Sequence, residues 1–171
     1  MTVYASLFAA LTAVGAYLSI PIGPVPINLQ TLFVLLAGLL LGSRWGAACI
    51  GVYLLAGAVG FPVFAGGTGG IGKIIGPTGG YLIGFIFAVY IIGLISEIKR
   101  SNLLDLAALI TGTVIIYVFG VSWLKVITGM DLAKSIKFGL YPFLIGDTLK
   151  IAAAFILAKA IRPIFVNSSP G

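Results

Sequence analysis

Histidine is absent from the 171 residues, cysteine occurs once, and only four residues are acidic. Without histidine there is no usual proton shuttle near neutral pH, no common metal ligand, and no Ser-His or Cys-His nucleophile pair. The composition therefore points away from an enzyme, a metal site or a bound cofactor. Cys49 has no partner for a disulfide within the chain and sits in an apolar segment, where it reads as a small buried residue. Charge of either sign is scarce, at 8% of residues, where water-soluble domains carry about 25%. Such a chain has too little polar surface to solvate itself.

What is present is apolar: 60% of residues are hydrophobic and the mean hydropathy is +1.21. The apolar residues come in long uninterrupted runs rather than in the alternating ten-residue segments of an outer-membrane barrel. These features predict an all-α integral membrane protein forming one domain over residues 1–171. The net charge of +6 resembles a nucleic-acid signal only until the positions are read. The cations flank hydrophobic runs instead of forming one basic patch, which suits lipid headgroups or an anionic solute and not nucleic acid. The first run lacks the charged leader and small-residue cleavage pattern of a signal peptide and is read as a retained first helix.

Six spans are drawn, at 2–20, 27–42, 45–60, 80–96, 103–124 and 141–161. The first is stopped by 21-PIGPVP-26, which lacks the N–H groups and dihedrals to extend a helix. Ser43 and Arg44 mark the end of the second, 97-EIKRSN-102 ends the fourth, and Arg162 with Pro163 closes the sixth. Spans two and three are near the lower length limit for crossing about 30 Å of hydrocarbon. With both termini on the cytoplasmic side, Arg44, Lys99, Arg100, Lys159 and Arg162 face Lys73, Lys125, Lys134 and Lys137 across the bilayer, so loop charge barely orients the chain. Within 129-GMDLAKSIKFGL-140, Leu132, Ile136 and Leu140 recur at helical spacing, which predicts a short interfacial helix.

The connection 60-GFPVFAGGTGGIGKIIGPTGG-80 holds nine glycines and two prolines yet remains apolar. It is too greasy for a solvated loop and too glycine-rich for a spanning helix, so a compact loop folded back on the bundle is expected. Its 67-GTGGIGKI-74 is one residue short of the phosphate-binding signature G-x-x-x-x-G-K-[ST]. Ile74 stands where a magnesium-ligating hydroxyl is required, and the flanks supply neither the preceding strand nor a metal-binding acid. ATP binding by this loop is rejected.

Charges within a span are costly and point to function by default. Asp147 and Lys150 lie three apart on the last span, on one helix face. They are either a self-neutralising structural pair or a recognition pair, the carboxylate accepting from ligand N–H groups and the ammonium donating. Asp105 falls in a first turn, within reach of headgroups and water. Lys73, the sole charge of the glycine-rich loop, either meets an anionic ligand group or reaches lipid phosphates. Asn28 and Gln30 place amides at the start of the second span, for helix–helix bonding or for a ligand. Phe61, Phe64 and Tyr81 bracket the loop as interfacial anchors or as surfaces that stack on a flat ligand beside Gly66 and Gly67. Ala5, Ala9 and Ala13 form a small-residue stripe that permits close helix approach, within the bundle or against a partner subunit.

The segments 62-PVFAGGTGG-70, 76-GPTGGYLIGF-85, 25-VPINLQTLFVLLAGLLLG-42 and 146-GDTLK-150 resemble the BioY family, the biotin-specific S components of energy-coupling factor (ECF) transporters, in a resemblance that covers nearly the whole chain in order. The resemblance implies a six-helix, multi-pass subunit of a prokaryotic cell membrane with cytoplasmic termini. It further implies that biotin is captured from outside in a pocket capped by the loop between helices three and four, with Asp147 and Lys150 on the ureido head. The first helix, through Ala5, Ala9 and Ala13, would dock on a transmembrane coupling subunit, and ATP hydrolysis would fall to two separate ATPase subunits. Phe64, Gly66, Gly67, Tyr81 and Gln30 then become ligand-facing residues, and Lys73 a partner for the carboxylate on grounds of charge alone. Asn28 stands where the family pattern has a small hydroxyl residue. A stand-alone vitamin facilitator and a membrane scaffold without a solute are the competing readings.

Overall fold

The computed structural model describes residues 1–21 and 23–167; Ile22 and 168–171 lie outside the described residues. The chain is mostly helical. Helix α1 spans Thr2–Tyr17, a two-stranded antiparallel ribbon pairs β1 (Ser19–Ile20) with β2 (Ile27–Asn28), and α2 spans Gln30–Ala58. Then come α3 (Ile71–Ile75), α4 (Gly79–Ile98), α5 (Asn102–Thr128), α6 (Leu132–Gly139), a 3-10 turn at Tyr141–Phe143 and α7 (Leu144–Asn167). Among the described residues, α4 and α5 are long and apolar enough to cross a membrane, as is α2 by its end-to-end length, and α1 is a shorter apolar helix.

Spans two and three are the two limbs of α2, which meet at a sharp turn with no intervening loop. Gly42 breaks the helix with φ 78° and ψ −175°, a conformation that L side chains rarely adopt. Gln30 and Tyr53 are hydrogen-bonded at 2.7 Å, whereas a straight helix would hold them about 35 Å apart. Residues 30–41 and 43–58 are thus two antiparallel limbs. The turn exposes the N-terminus of the second limb, and Glu97 of α4 caps it: the Ser43 N–H donates to Glu97 Oε1 at 2.7 Å and the Ser43 hydroxyl reaches both carboxylate oxygens at 3.1 Å. Gly93 makes this approach possible, since a Cβ there would run into the Ser43 backbone nitrogen.

Other boundaries shift for local reasons. The first helix ends at Tyr17 instead of 20, because Ser19 and Ile20 pair with Asn28 and Ile27 before the proline-rich stretch. The fifth is longer than drawn: the Ser101 side chain accepts from Leu104 N–H at 3.2 Å and the helix closes on left-handed Gly129. The last starts at Leu144, after the 3-10 turn, and runs on to Asn167, so Pro163 lies inside it and does not terminate it. Proline removes one backbone donor, a loss that helices packed in a bundle absorb. The glycine-rich connection bonds to the helices through Gly66 N–H to Ala16 O at 3.4 Å and Gly70 N–H to Gly57 O at 2.7 Å, and it carries the one-turn helix α3 within it. The short amphipathic helix stands at Leu132–Gly139, N-capped by the Asp131 side chain. Its buried face is Ser135 and Gly139, while Leu132 is exposed.

Asp105 departs most sharply from its sequence-based expectation. It is not at a wet interface but 2% exposed, and Arg162 Nη1 and Nη2 donate to its two carboxylate oxygens at 2.7 and 3.1 Å. Arg162 Nη2 also reaches Leu39 O at 3.3 Å and Ser96 Oγ at 3.4 Å. One guanidinium therefore ties α7 to α2, α4 and α5. On α1, Ala5 is in the core, while Ala9 and Ala13 pack against it and stay partly exposed.

Candidate functional site

The N-terminal ends of α4 and α7, the ribbon and the glycine-rich loop surround a cavity of about 1000 Å³. Asp147 sits in the first turn of α7 with Lys150 one turn on, and both are buried, 6% and 7% exposed. Lys150 Nζ donates to Asp147 Oδ1 at 2.7 Å, and the Tyr117 hydroxyl of α5 donates to Oδ2. Each carboxylate oxygen keeps a lone pair and the ammonium keeps donors, so the cluster offers acceptors and donors side by side at the cavity wall. A ligand carrying adjacent N–H donors and a carbonyl acceptor fits that array. An isolated buried charge would not persist in hydrocarbon; paired and hydrogen-bonded, this one does.

A second polar chain supports another part of the lining. Asn28 Oδ1 accepts from the Gln30 N–H at 3.1 Å and its amide donates to Gln30 Oε1 at 3.3 Å. Gln30 Nε2 donates to the Tyr53 hydroxyl at 2.7 Å, which in turn donates to Val63 O at 3.0 Å. The amides at 28 and 30 thus bond each other and, through Tyr53, hold the base of the glycine-rich loop. Phe64 packs edge-on against Tyr53 with ring centroids 5.6 Å apart. Gly57 is what admits the Phe64 ring, since a Cβ there would overlap it. The loop is pinned further by Phe64 N–H to Thr68 O at 2.8 Å, Gly70 N–H to Gly57 O at 2.7 Å and Trp123 Nε1 to Gly76 O at 3.0 Å. Tyr81 lines the cavity with its ring, and its hydroxyl donates to Gly139 O at 2.6 Å, joining α4 to the end of α6.

Of the residues singled out from the sequence, Asn28, Gln30, Phe64, Gly66, Lys73, Tyr81, Asp147 and Lys150 line one cavity. Gly67 does not. It occupies the turn closed by Phe64 and Thr68 with φ 69°, and its missing side chain faces Tyr17, whose ring a Cβ would approach to 3.0 Å. Its glycine serves the turn and not the wall. Phe61 is exposed and outside the lining. Lys73 stands on α3 at the rim, exposed to solvent. Tyr117 and Tyr53 carry no local sequence signal: each is a lone tyrosine in an apolar run, and only the fold brings their hydroxyls to Asp147 and Gln30.

Known proteins share this architecture. The model of the BioY family matches residues 1–167. The biotin transporter BioY of Thermotoga maritima is 42% identical over 163 residues, covering 95% of this chain and 96% of the relative. The probable biotin transporter BioY of Pyrococcus horikoshii is 45% identical over 157 residues, covering 92% and 93%. A crystal structure of the S-component for biotin from an ECF-type ABC transporter superposes with a TM-score of 0.88 at 30% identity, covering 95% of this chain and 90% of that one. By the family model, the relatives and the fold alike, the chain belongs to the BioY family.

Proposed function

We propose that this chain is the substrate-binding membrane subunit of an ECF-type importer and that its ligand is biotin. Six membrane-crossing segments follow from α1, the two limbs of α2, and α4, α5 and α7, with α6 at the interface and the termini on the cytoplasmic side. The cavity then faces outward and the Asp105–Arg162 tie faces the cytoplasm. The observation that carries the reading is the buried Asp147–Lys150 pair, held by Tyr117, on the wall of a cavity lined otherwise mainly by apolar and glycine surfaces. Biotin's ureido ring has two N–H donors and one carbonyl, matching the acceptors of Asp147 and the donors of Lys150. Its thioether ring suits Phe64 and Tyr81, Gln30 and Gly66 complete the wall, and its acid tail runs toward Lys73.

Transport needs an energy source that this chain lacks, because its one phosphate-loop-like stretch is the cavity's cap. A transmembrane coupling subunit and two ATPase subunits supply it, and the α1 stripe offers the docking surface. Since Ala5 is in the core, Ala9 and Ala13 carry that contact. Equilibrium binding of biotin to the purified, detergent-solubilised chain, with thiamine and riboflavin as controls, tests the proposal. Tight, biotin-selective binding is expected, and a folded preparation that ignores biotin refutes it.

A further inference from the structure

The charged groups of the cavity are unevenly built. Asp147 and Lys150 are buried and paired with each other, with Tyr117 on the second carboxylate oxygen. The third charge of the lining, Lys73, sits on α3 in the glycine-rich loop, exposed, and its ammonium makes no ion pair among the described residues. Gly66, Gly69 and Gly72 of the same loop also line the cavity and bring no side chain to close on a ligand. The volume, about 1000 Å³, lies at the top of the range of small-molecule pockets, roughly 300–1000 Å³. Two of the three lining charges are buried and paired with each other, and the third is exposed and makes no ion pair among the described residues.

We infer that the pocket selects the ureido head and tolerates the tail, so that amides of biotin, extended or not, are ligands as well as biotin itself. The inference rests on the proposed function above. Biotinamide and biotinyl-lysine, the fragment that proteolysis of a biotin-carrying protein releases, are the chemical class in question. Amidation removes the biotin carboxylate, and in biotinyl-lysine it also adds bulk and a zwitterionic amino-acid end; all of these changes fall on the tail and leave the ureido donors untouched. An exposed ion pair to Lys73 changes affinity by at most about fivefold, because water competes for both partners and the side chain must be ordered. Substitution at a ureido nitrogen, by contrast, takes a donor away from a buried carboxylate.

The test is equilibrium binding of four compounds to the purified full chain: biotin, biotinamide, biotinyl-lysine, and biotin blocked at a ureido nitrogen. Both amides are expected to bind within tenfold of biotin, and the blocked compound at least a hundredfold more weakly. Lys73→Met is expected to weaken biotin by no more than about fivefold and to leave biotinamide unchanged. A loss of tenfold or more on amidation while biotin binds tightly overturns tail tolerance and leaves the biotin reading standing. Tail tolerance is equally overturned if Lys73→Met weakens biotin more than tenfold. If a folded chain binds none of the four, the biotin reading itself falls and tail tolerance falls with it.

Discussion

Replacing Asp147 alone, and then together with Lys150, separates what the buried pair does for the fold from what it does for the ligand. In Asp147→Leu the Lys150 ammonium, 7% exposed, loses the carboxylate that it contacts at 2.7 Å. Breaking one side of such a pair costs about 3–5 kcal/mol, because the remaining charge is left buried and uncompensated. For a chain of this length that corresponds to a fall in melting temperature of roughly 6–20 °C. The double variant Asp147→Leu/Lys150→Met removes both charges and is expected to recover most of the loss, since apolar replacements of similar size no longer need solvation or pairing. Neither variant should bind biotin: two hydrogen bonds from ligand N–H groups to a charged acceptor are worth about 3–6 kcal/mol together, a hundredfold or more in affinity. Thermal melts and binding isotherms of wild type, single and double variants in one detergent give both readouts. A stable double variant that still binds biotin within tenfold of wild type refutes the recognition role, and a single variant as stable as wild type refutes the desolvation argument.

Three further outcomes follow from other parts of the fold. Arg162→Met strands the buried Asp105 carboxylate and is expected to cost about 3–5 kcal/mol of stability while leaving the biotin dissociation constant unchanged. The separation from Asp147 is fifteen residues along α7, about 22 Å, and melts paired with binding isotherms check it. Gly57→Ala forces a methyl group into the Phe64 ring and is expected to destabilise by about 1–3 kcal/mol and to weaken biotin, because Phe64 is a wall of the cavity; unchanged affinity would show that the ring does not touch the ligand. Ala9→Trp is expected to abolish energised uptake in cells without changing biotin binding by the isolated chain, and uptake that survives it contradicts docking through α1.

Much of this was legible in the sequence because hydrocarbon leaves few choices. Apolar runs bounded by proline, glycine and charge point to a mostly helical membrane protein, and a carboxylate and an amine three apart inside such a run mark a polar point that the fold sets in the cavity wall. What was not legible depends on distant partners. Nothing local distinguishes Tyr117 from any tyrosine of an apolar helix until α5 is packed beside α7. Asp105 and Arg162 resemble headgroup anchors because each lies near a helix end, and only the bundle turns them inward onto each other. Gly42 reads as the end of one span and the helix does break there, but nothing local shows that the next limb starts at once at Ser43, whose backbone Glu97, 54 residues on, caps. Gly66 and Gly67 are equivalent in sequence, and the Phe64–Thr68 turn decides that only the first faces the cavity.

Solving the structure of this chain with biotin bound would show at once whether the buried pair is what recognises the ligand. The bicyclic ring is expected between Phe64 and Tyr81, with at least one ureido nitrogen about 2.7–3.2 Å from an Asp147 carboxylate oxygen. Biotin seated elsewhere, with the Asp147, Lys150 and Tyr117 cluster unapproached, would refute recognition by the pair.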